Sequence, residues 1–520
     1  MAARERGRAE GLSARQRLLQ CLDEVAGRWP DRVAHRSEQG ARTYAELRRA
    51  AQALTAQLAA AAPEPVLVYG HKEPDLLAAF WACALAGRPY VPVDVALPPA
   101  RIARMAAIAS VRTAVAATAW PPGLAQELGA RGVRILQPGQ ADQAAAPEPG
   151  PPSPLAYIVF TSGSSGDPKG VPIHWDALEH FTDWLLTLRR PRPGQEVILN
   201  QAPFSFDLSV MDLFLALRSG GTLWSVTRQD IADPRRLFAA LADSGLTTWV
   251  STPSFARFCL AEPSFGDGML PELRQLIFCG EALPPSVARA LLARFPRAEL
   301  WNTYGPTEAT VAVTSLRITP SLAARDAPLP VGHPAPGMRV WVAGADAQPV
   351  ADGERGEILL AGPQLSSGYL QDADGRPGPG GFVTLPASLG GGPAYRTGDA
   401  GHVGDGLLYC DGRLDRQVKV RGYRLELEEI EQQLRRLPAV ADAAVLPVWR
   451  DGVADHLVAF VVPSGPMPPR SAAPAAARQI RSELAVQLPA YALPRLVRLV
   501  AALPLTANGK VDRRALEAAL

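Results

Sequence analysis

Lysine is almost missing from this 520-residue chain: of 53 basic residues 49 are arginine, and only Lys72, Lys169, Lys419 and Lys510 are lysine. Cysteine is scarce too. Cys21, Cys83, Cys259, Cys279 and Cys410 are widely spaced, with no C-x-x-C pair and no histidine at ligand spacing, which argues against a disulfide framework and a zinc site. Net charge is only +2 and the arginines are scattered, so there is no electrostatic case for nucleic acid or an anionic membrane. The longest apolar run, residues 76–87, is too short to span a bilayer, and residues 1–15 are charged without an apolar signal core. These absences predict a cytoplasmic protein with no membrane insertion and no nucleic-acid partner.

What is present points to a globular protein of two or more domains, since 520 residues exceed what one core holds. Apolar spacing at Leu18, Leu19, Leu22 and Val25, and again at Tyr44, Leu47 and Leu54, predicts an N-terminal helical layer over residues 14–62. A strand at 65–70, a helix at 74–85 and a strand at 90–93 then alternate as in a parallel, doubly wound sheet. The Ala- and Pro-rich piece 144–154 reads as a linker. The fold class expected is α/β: a large N-terminal domain of parallel and mixed sheets sandwiched by helices, followed by a small α+β domain.

The linker leads into Tyr157-Ile-Val-Phe-Thr161-Ser-Gly-Ser-Ser-Gly-Asp-Pro-Lys169-Gly170. A buried strand runs into a loop whose hydroxyls (Thr161, Ser162, Ser164, Ser165), glycines (Gly163, Gly166, Gly170) and lysine (Lys169) suit phosphate. Composition alone fits an ordinary surface turn equally well. The spacing is not that of a Walker loop. The loop instead resembles the phosphate loop of the adenylate-forming superfamily, which includes amino-acid adenylation domains, acyl-CoA synthetases and luciferases.

Companion motifs follow in order from about Thr43 to the C-terminus, and each admits a plain structural reading beside the functional one. In Asn200-Gln-Ala-Pro-Phe-Ser-Phe-Asp207-Leu-Ser-Val-Met-Asp212, Asp207 is either the cap of the next helix or a carboxylate holding a substrate ammonium. Trp301-Asn302-Thr303-Tyr304-Gly305-Pro306-Thr307-Glu308 is similar to the adenine-binding segment. It offers an amide, an aromatic face, a hydroxyl and a carboxylate for Mg²⁺, where a bare Tyr-Gly-Pro would be only a turn. Asp399, expected at a strand end, is either an Asx turn or the ligand of the ribose hydroxyls. A change of composition at Asp415 matches the family's hinge and divides the chain into 1–414, the ATP- and amino-acid-binding core, and 415–520, a mobile lid with a loose loop at 463–475. Near its end Asn508-Gly509 presents Lys510, at the position of the family's catalytic lysine. With Lys419 in the run Gly412-Arg413-Leu-Asp415-Arg-Gln-Val-Lys419 at the boundary, three of the four lysines lie in motifs, as expected where a compact ammonium is needed and a guanidinium is not.

The resemblance implies a reaction with ATP and Mg²⁺. A carboxylate becomes an acyl-adenylate, the lid turns about Asp415, and a thiol then takes the acyl group. It assigns the nucleotide to Thr161, Ser162, Gly163, Ser164, Ser165, Gly166, Lys169, Gly280, Glu281, Asn302, Thr303, Tyr304, Gly305, Thr307, Asp399, Arg413 and Lys510, and the metal to Glu308. The amino-acid pocket would comprise Asp207, Leu208, Met211, Val250, Ile277, Cys279, Thr303 and Val311, whose apolar bulk suits alanine first, then glycine or serine. Ser251-Thr-Pro-Ser-Phe255 and Phe278-Cys-Gly-Glu281 bring the resemblance nearest to D-alanine-carrier protein ligases and stand-alone nonribosomal peptide adenylation enzymes. With no Leu-Gly-Gly-x-Ser site in the sequence, the phosphopantetheine thiol is expected on a separate carrier protein, and the enzyme is expected to be a monomer. Two alternatives stay open: an acyl- or aryl-CoA synthetase, which would not need Asp207, and a non-catalytic nucleotide-binding relative, which would not need Lys510 or Glu308.

Overall fold

Segments of four to seven apolar residues set between amphipathic helices become parallel strands here, because only a sheet covered on both faces hides such segments completely. The structure, a computed structural model, describes residues 11–58, 64–138, 152–163, 166–188, 190–325, 327–371, 380–450, 452–506 and 510–520. In a nine-stranded sheet, Val33–Ser37, Thr222–Ser225, Val197–Asn200, Thr248–Ser251, Gln275–Phe278 and Glu299–Tyr304 run parallel, with antiparallel strands at both edges. A second sheet places Arg134–Leu136, Thr113–Ala116, Val66–Tyr69, Tyr90–Val93 and Leu155–Thr161 in parallel, closed by the antiparallel strand Lys169–His174.

The helices Ala14–Arg28, Tyr44–Leu58, Pro74–Leu85, Trp175–Leu188 and Leu208–Ser219 lie between these sheets and share one core with them. Outer helices cover the far faces, giving five alternating layers. A five-stranded antiparallel sheet containing Gly356–Ala361 and Pro393–Gly404 completes the N-terminal domain. After Asp415, the lid packs its own five-stranded sheet against the helices Leu427–Arg435 and Ala473–Leu484.

Several expectations need correction. The N-terminal layer is not all helical: residues 33–43 form a β-hairpin whose short polar edge strand gives no apolar signal. The loop expected at 463–475 ends early, since a helix begins at Ala473. Asp399 sits inside the twelve-residue strand Pro393–Gly404 and not at its end. The 144–154 linker lies mostly outside the described residues, as do Ser164, Ser165, Asn508 and Gly509.

The helix Leu208–Ser219 carries the candidate substrate carboxylate at its start, and two contacts fix its placement. Gly220 ends it at φ +67°, where a Cβ would lie 2.4 Å from the Trp29 ring, so only glycine fits. Behind its first turn, fully buried Lys72 donates to the Ala202 carbonyl at 2.5 Å and to the Asn200 side-chain oxygen, whose amide donates to Asp212 at 3.0 Å. Lys72→Met leaves these acceptors and the buried Asp212 carboxylate uncompensated. It is expected to destabilise the N-terminal domain by about 3 kcal/mol, read from the shift of its denaturant midpoint.

Candidate active site

The parallel strands of both sheets point their carboxyl ends at one cleft, the usual place for a ligand in such folds. Its empty volume is about 1110 Å³ including the opening to solvent, and both the N-terminal domain and the lid wall it. The phosphate loop enters at the end of Leu155–Thr161, but the chain returns directly as Lys169–His174 with Thr161 opposite Lys169, so it is a hairpin loop and no helix follows it. Gly163 is required there, since a Cβ would meet the Asp167 carbonyl oxygen at 2.1 Å. The Lys169 ammonium lies 5.5 Å from the centroid of the Tyr369 ring.

The structure does not bear out the helix-cap reading of Asp207. That residue stands at the N-cap position, yet its side chain makes no capping hydrogen bond. It accepts instead from the Thr307 hydroxyl at 2.6 Å and faces the cleft. Burial raises its carboxyl above the usual carboxylate range, against the opposing effect of the Thr307 hydrogen bond. Beside it Leu208, Cys279 and Val311 line the cleft, and the Cys279 thiol donates to the Val311 carbonyl at 3.6 Å. Met211, Val250 and Ile277 do not line it. They are buried in the core behind, and Thr303 turns its hydroxyl to the Phe278 carbonyl at 2.8 Å. The pocket is therefore shallower than the eight predicted residues imply. Thr310 and Val311 hold φ of +54° and +70°, rare for β-branched residues, at its wall.

Of the predicted nucleotide residues, Thr161, Ser162, Gly280, Gly305, Thr307, Asp399 and Arg413 line the cleft. The Asp399 carboxylate takes the Tyr304 hydroxyl at 2.6 Å and Arg413 at 2.9 Å, and Arg413 also pairs with Asp415, the expected hinge, through a 2.9 Å contact. Asn302 is not brought to the cleft: its amide donates to the Pro330 carbonyl at 2.9 Å, supporting the chain below the site. Lys510 is exposed and outside the cleft, while Lys419 lines it in this lid position.

The lid strand Tyr423–Glu426 reaches the cleft through Arg424 and Leu425. Ser162 donates to the Arg424 carbonyl at 3.0 Å and accepts from the Glu426 amide at 3.2 Å. The Gly422 amide donates to Glu281 at 2.5 Å, and a Cβ at Gly422, whose φ is +87°, would lie 2.5 Å from Thr252 Cγ2. Glu308, with no exposed side chain, accepts from the Tyr369 hydroxyl at 2.6 Å and from Arg424 Nη1 at 2.7 Å. Burial would raise the Glu308 carboxyl, but Arg424 holds it down to about 2. Both oxygens are therefore engaged, and among the described residues no group of three or more His, Cys, Asp or Glu could hold a metal ion. In this lid position the residues present do not fit Mg²⁺.

Farther out, Arg101 of the N-terminal domain pairs with Glu429 of the lid at 2.5 Å, and Phe206 packs edge-on against the stacked rings of Tyr423 and Tyr491. Sequence reasoning missed Arg424, Tyr369 and the Arg101–Glu429 pair. Nothing marks Arg424 among 49 arginines, whereas the rarity of lysine did single out Lys419.

Comparison with known proteins agrees with this geometry. Residues 22–370 match the AMP-binding enzyme family and residues 429–510 the AMP-binding enzyme C-terminal domain. The D-alanine--D-alanyl carrier protein ligase of Bacillus licheniformis is 42% identical, covering 96% of this chain and 99% of that protein. The ligase of the same name from Bacillus cereus is 40% identical over the same shares. A nonribosomal peptide synthetase protein containing adenylation and PCP domains, solved with a vinylsulfonamide inhibitor, superposes with a TM-score of 0.79 at 29% identity, covering 97% of this chain and 84% of that one. The Vibrio cholerae adenylation domain AlmE, solved with glycyl-adenosine-5'-phosphate, shares the fold at a TM-score of 0.80 and 24% identity, over 98% and 97% of the two chains. The chain belongs to the AMP-binding enzymes, the adenylate-forming superfamily.

Proposed function

We propose that this enzyme is an amino acid-carrier protein ligase. It uses ATP to convert a small amino acid to its aminoacyl-adenylate, then passes the aminoacyl group to the phosphopantetheine thiol of a separate carrier protein. The observation that carries this reading is the single carboxylate, Asp207, at the mouth of a shallow pocket walled by Leu208, Cys279 and Val311. Asp207 would hold the substrate ammonium, and the apolar wall leaves room for a methyl side chain. Alanine fits best, and the name shared by the Bacillus relatives favours the D enantiomer. An acyl-CoA synthetase would have no use for a half-buried carboxylate at this place.

In the first half-reaction the amino-acid carboxylate attacks the α-phosphorus of ATP and pyrophosphate leaves. Two anions meet, and at about 4 Å their repulsion is about 4 kcal/mol at an effective dielectric of about 20. The phosphate-loop hydroxyls and Lys169 offset part of this charge, Asp399 holds the ribose, and Lys510 would enter with the lid turned about Asp415. Magnesium would arrive with ATP, and Glu308 is the carboxylate able to meet it once Arg424 has moved away. The lid position seen here, with Lys510 outside and the lid strand across the phosphate site, suits the second half-reaction, in which a thiol displaces AMP from the adenylate.

The test is exchange of labelled pyrophosphate into ATP with each enantiomer of alanine, glycine and serine; absence of exchange with all of them overturns the proposal. Lys510→Ala is expected to abolish exchange but to spare transfer from preformed aminoacyl-adenylate. Gly422→Val should do the reverse, keeping exchange and slowing transfer about 10- to 100-fold, because a side chain there meets Thr252 and a strained φ. Since burial favours the neutral form of Asp207, kcat/KM for the amino acid should fall as pH drops through a value above the ordinary carboxylate range. Asp207→Asn should remove that acid limb and weaken the amino acid while leaving ATP binding intact, as read from pH profiles of exchange.

A further inference from the structure

The conflict at Glu308 carries an inference of its own, which rests on the proposed adenylation reaction. Glu308 has no exposed side chain, so leaving it unpaired beneath the cleft would be costly in any lid position. In this position its partner comes from the lid: Arg424 Nη1 lies 2.7 Å from Oε2, with the Arg424 side chain 18% exposed. The guanidinium is itself held in place. Its Nε donates to Gln417 at 2.6 Å, and the carbonyl of the same residue accepts from Ser162 in the phosphate loop. The Tyr369 hydroxyl closes the other side of the carboxylate and lies 3.2 Å from that of Tyr395. One lid residue thus engages the carboxylate expected to meet a divalent cation and, through its backbone, a hydroxyl expected to meet phosphate.

We infer that Arg424 is a positioning residue that takes the place of the divalent cation on Glu308, so that this lid position and the bound Mg²⁺–triphosphate exclude one another. Whatever factor the guanidinium adds to the population of this lid position is subtracted from the apparent affinity for the Mg²⁺–nucleotide, because a site available only in part of the population binds more weakly by that fraction. Glu308 would be left without a cation once pyrophosphate and its metal had gone, and the nearest replacement is on the lid strand. Arginine suits the role because it stays charged in every neighbourhood and its planar fork can bond Glu308 and Gln417 together.

The test uses the full chain, with donor and acceptor dyes on unnatural amino acids at exposed positions of the N-terminal domain and the lid. Energy transfer is followed while MgCl2 is titrated at fixed α,β-methylene-ATP. Wild-type enzyme without nucleotide should populate the position described, and Mg²⁺ with the analogue should displace it. Arg424→Gln should lower the population ratio of this position by about tenfold or more, and lower the Mg²⁺ concentration needed for half-displacement by several-fold. Arg424→Lys should fall between the two. Glu308→Gln/Arg424→Gln, which removes both charges, should recover the lid position but not the response to Mg²⁺, and it guards against a single variant that fails to fold. A wild-type lid distribution in Arg424→Gln overturns the inference. So does a loss of the lid position with unchanged Mg²⁺ dependence, which would make Arg424 only a brace. Because the readout needs neither amino acid nor exchange, a negative result here is distinct from failure of the adenylation reading.

Discussion

A carboxylate with no exposed side chain must have a cation or a set of donors against it, and Glu308 places that demand at the floor of the cleft. Its backbone is fixed as firmly as its side chain, since the Ser366 amide donates to the Glu308 carbonyl at 2.8 Å and the neighbouring Thr310 hydroxyl donates to the Gln364 carbonyl at 2.7 Å. With its backbone held and its side chain enclosed, the carboxylate depends on partners that come to it. In the position described one comes from the lid, and the lid is thereby tied to the same turn, Thr307–Ala309, that holds Asp207 through Thr307. Asp207 and the lid strand thus meet on one small piece of backbone, and the Arg424 carbonyl links the Ser162 hydroxyl to it.

That backbone is strained where it matters. Thr310 and Val311 both hold positive φ, and Gly305 has no room for a Cβ, since one would lie 2.6 Å from the Ala312 Cα. Such conformations survive only when the surrounding contacts over-determine them. Here the contacts are the Glu308 and Thr310 bonds and the Val311 side chain sunk in the main core. The result is a well-braced wall beside Asp207, which the proposed discrimination among small side chains would require, because one methylene changes binding by only about 1–3 kcal/mol and a yielding wall would lose it.

Much of the fold was legible in the sequence, since the strand-helix alternation predicted the parallel sheets, and the residue types around Thr161, Asp207 and Thr307 marked three segments that do line one cleft. What could not be read depends on tertiary placement. Asn302 looks like a base-binding amide until its bond to Pro330 is seen. Met211, Val250 and Ile277 belong to the pocket by position but form the layer behind it, because the shallow cleft stops at Leu208, Cys279 and Val311. The hairpin at residues 33–43 pairs through polar residues with no apolar alternation. Arg424 was hidden by abundance, whereas scarcity drew attention to the lysines.

The contrast between the two basic residues bears on how the lid would work. Lys510 is exposed, on a flexible stem, and would act as a point charge that enters and leaves with the lid. Arg424 lies on a paired strand, where Lys419 is opposite it, and its guanidinium is fixed by Gln417 before it reaches Glu308. A mobile ammonium suits charge that develops transiently on reacting phosphate, while a pre-oriented guanidinium suits a carboxylate that never moves. Lys510 is exposed on the lid and Arg424 is held in place, so in this pair the choice of residue follows the mobility of the charge each is proposed to meet, whereas buried Lys72 shows that a fixed site can also take a lysine.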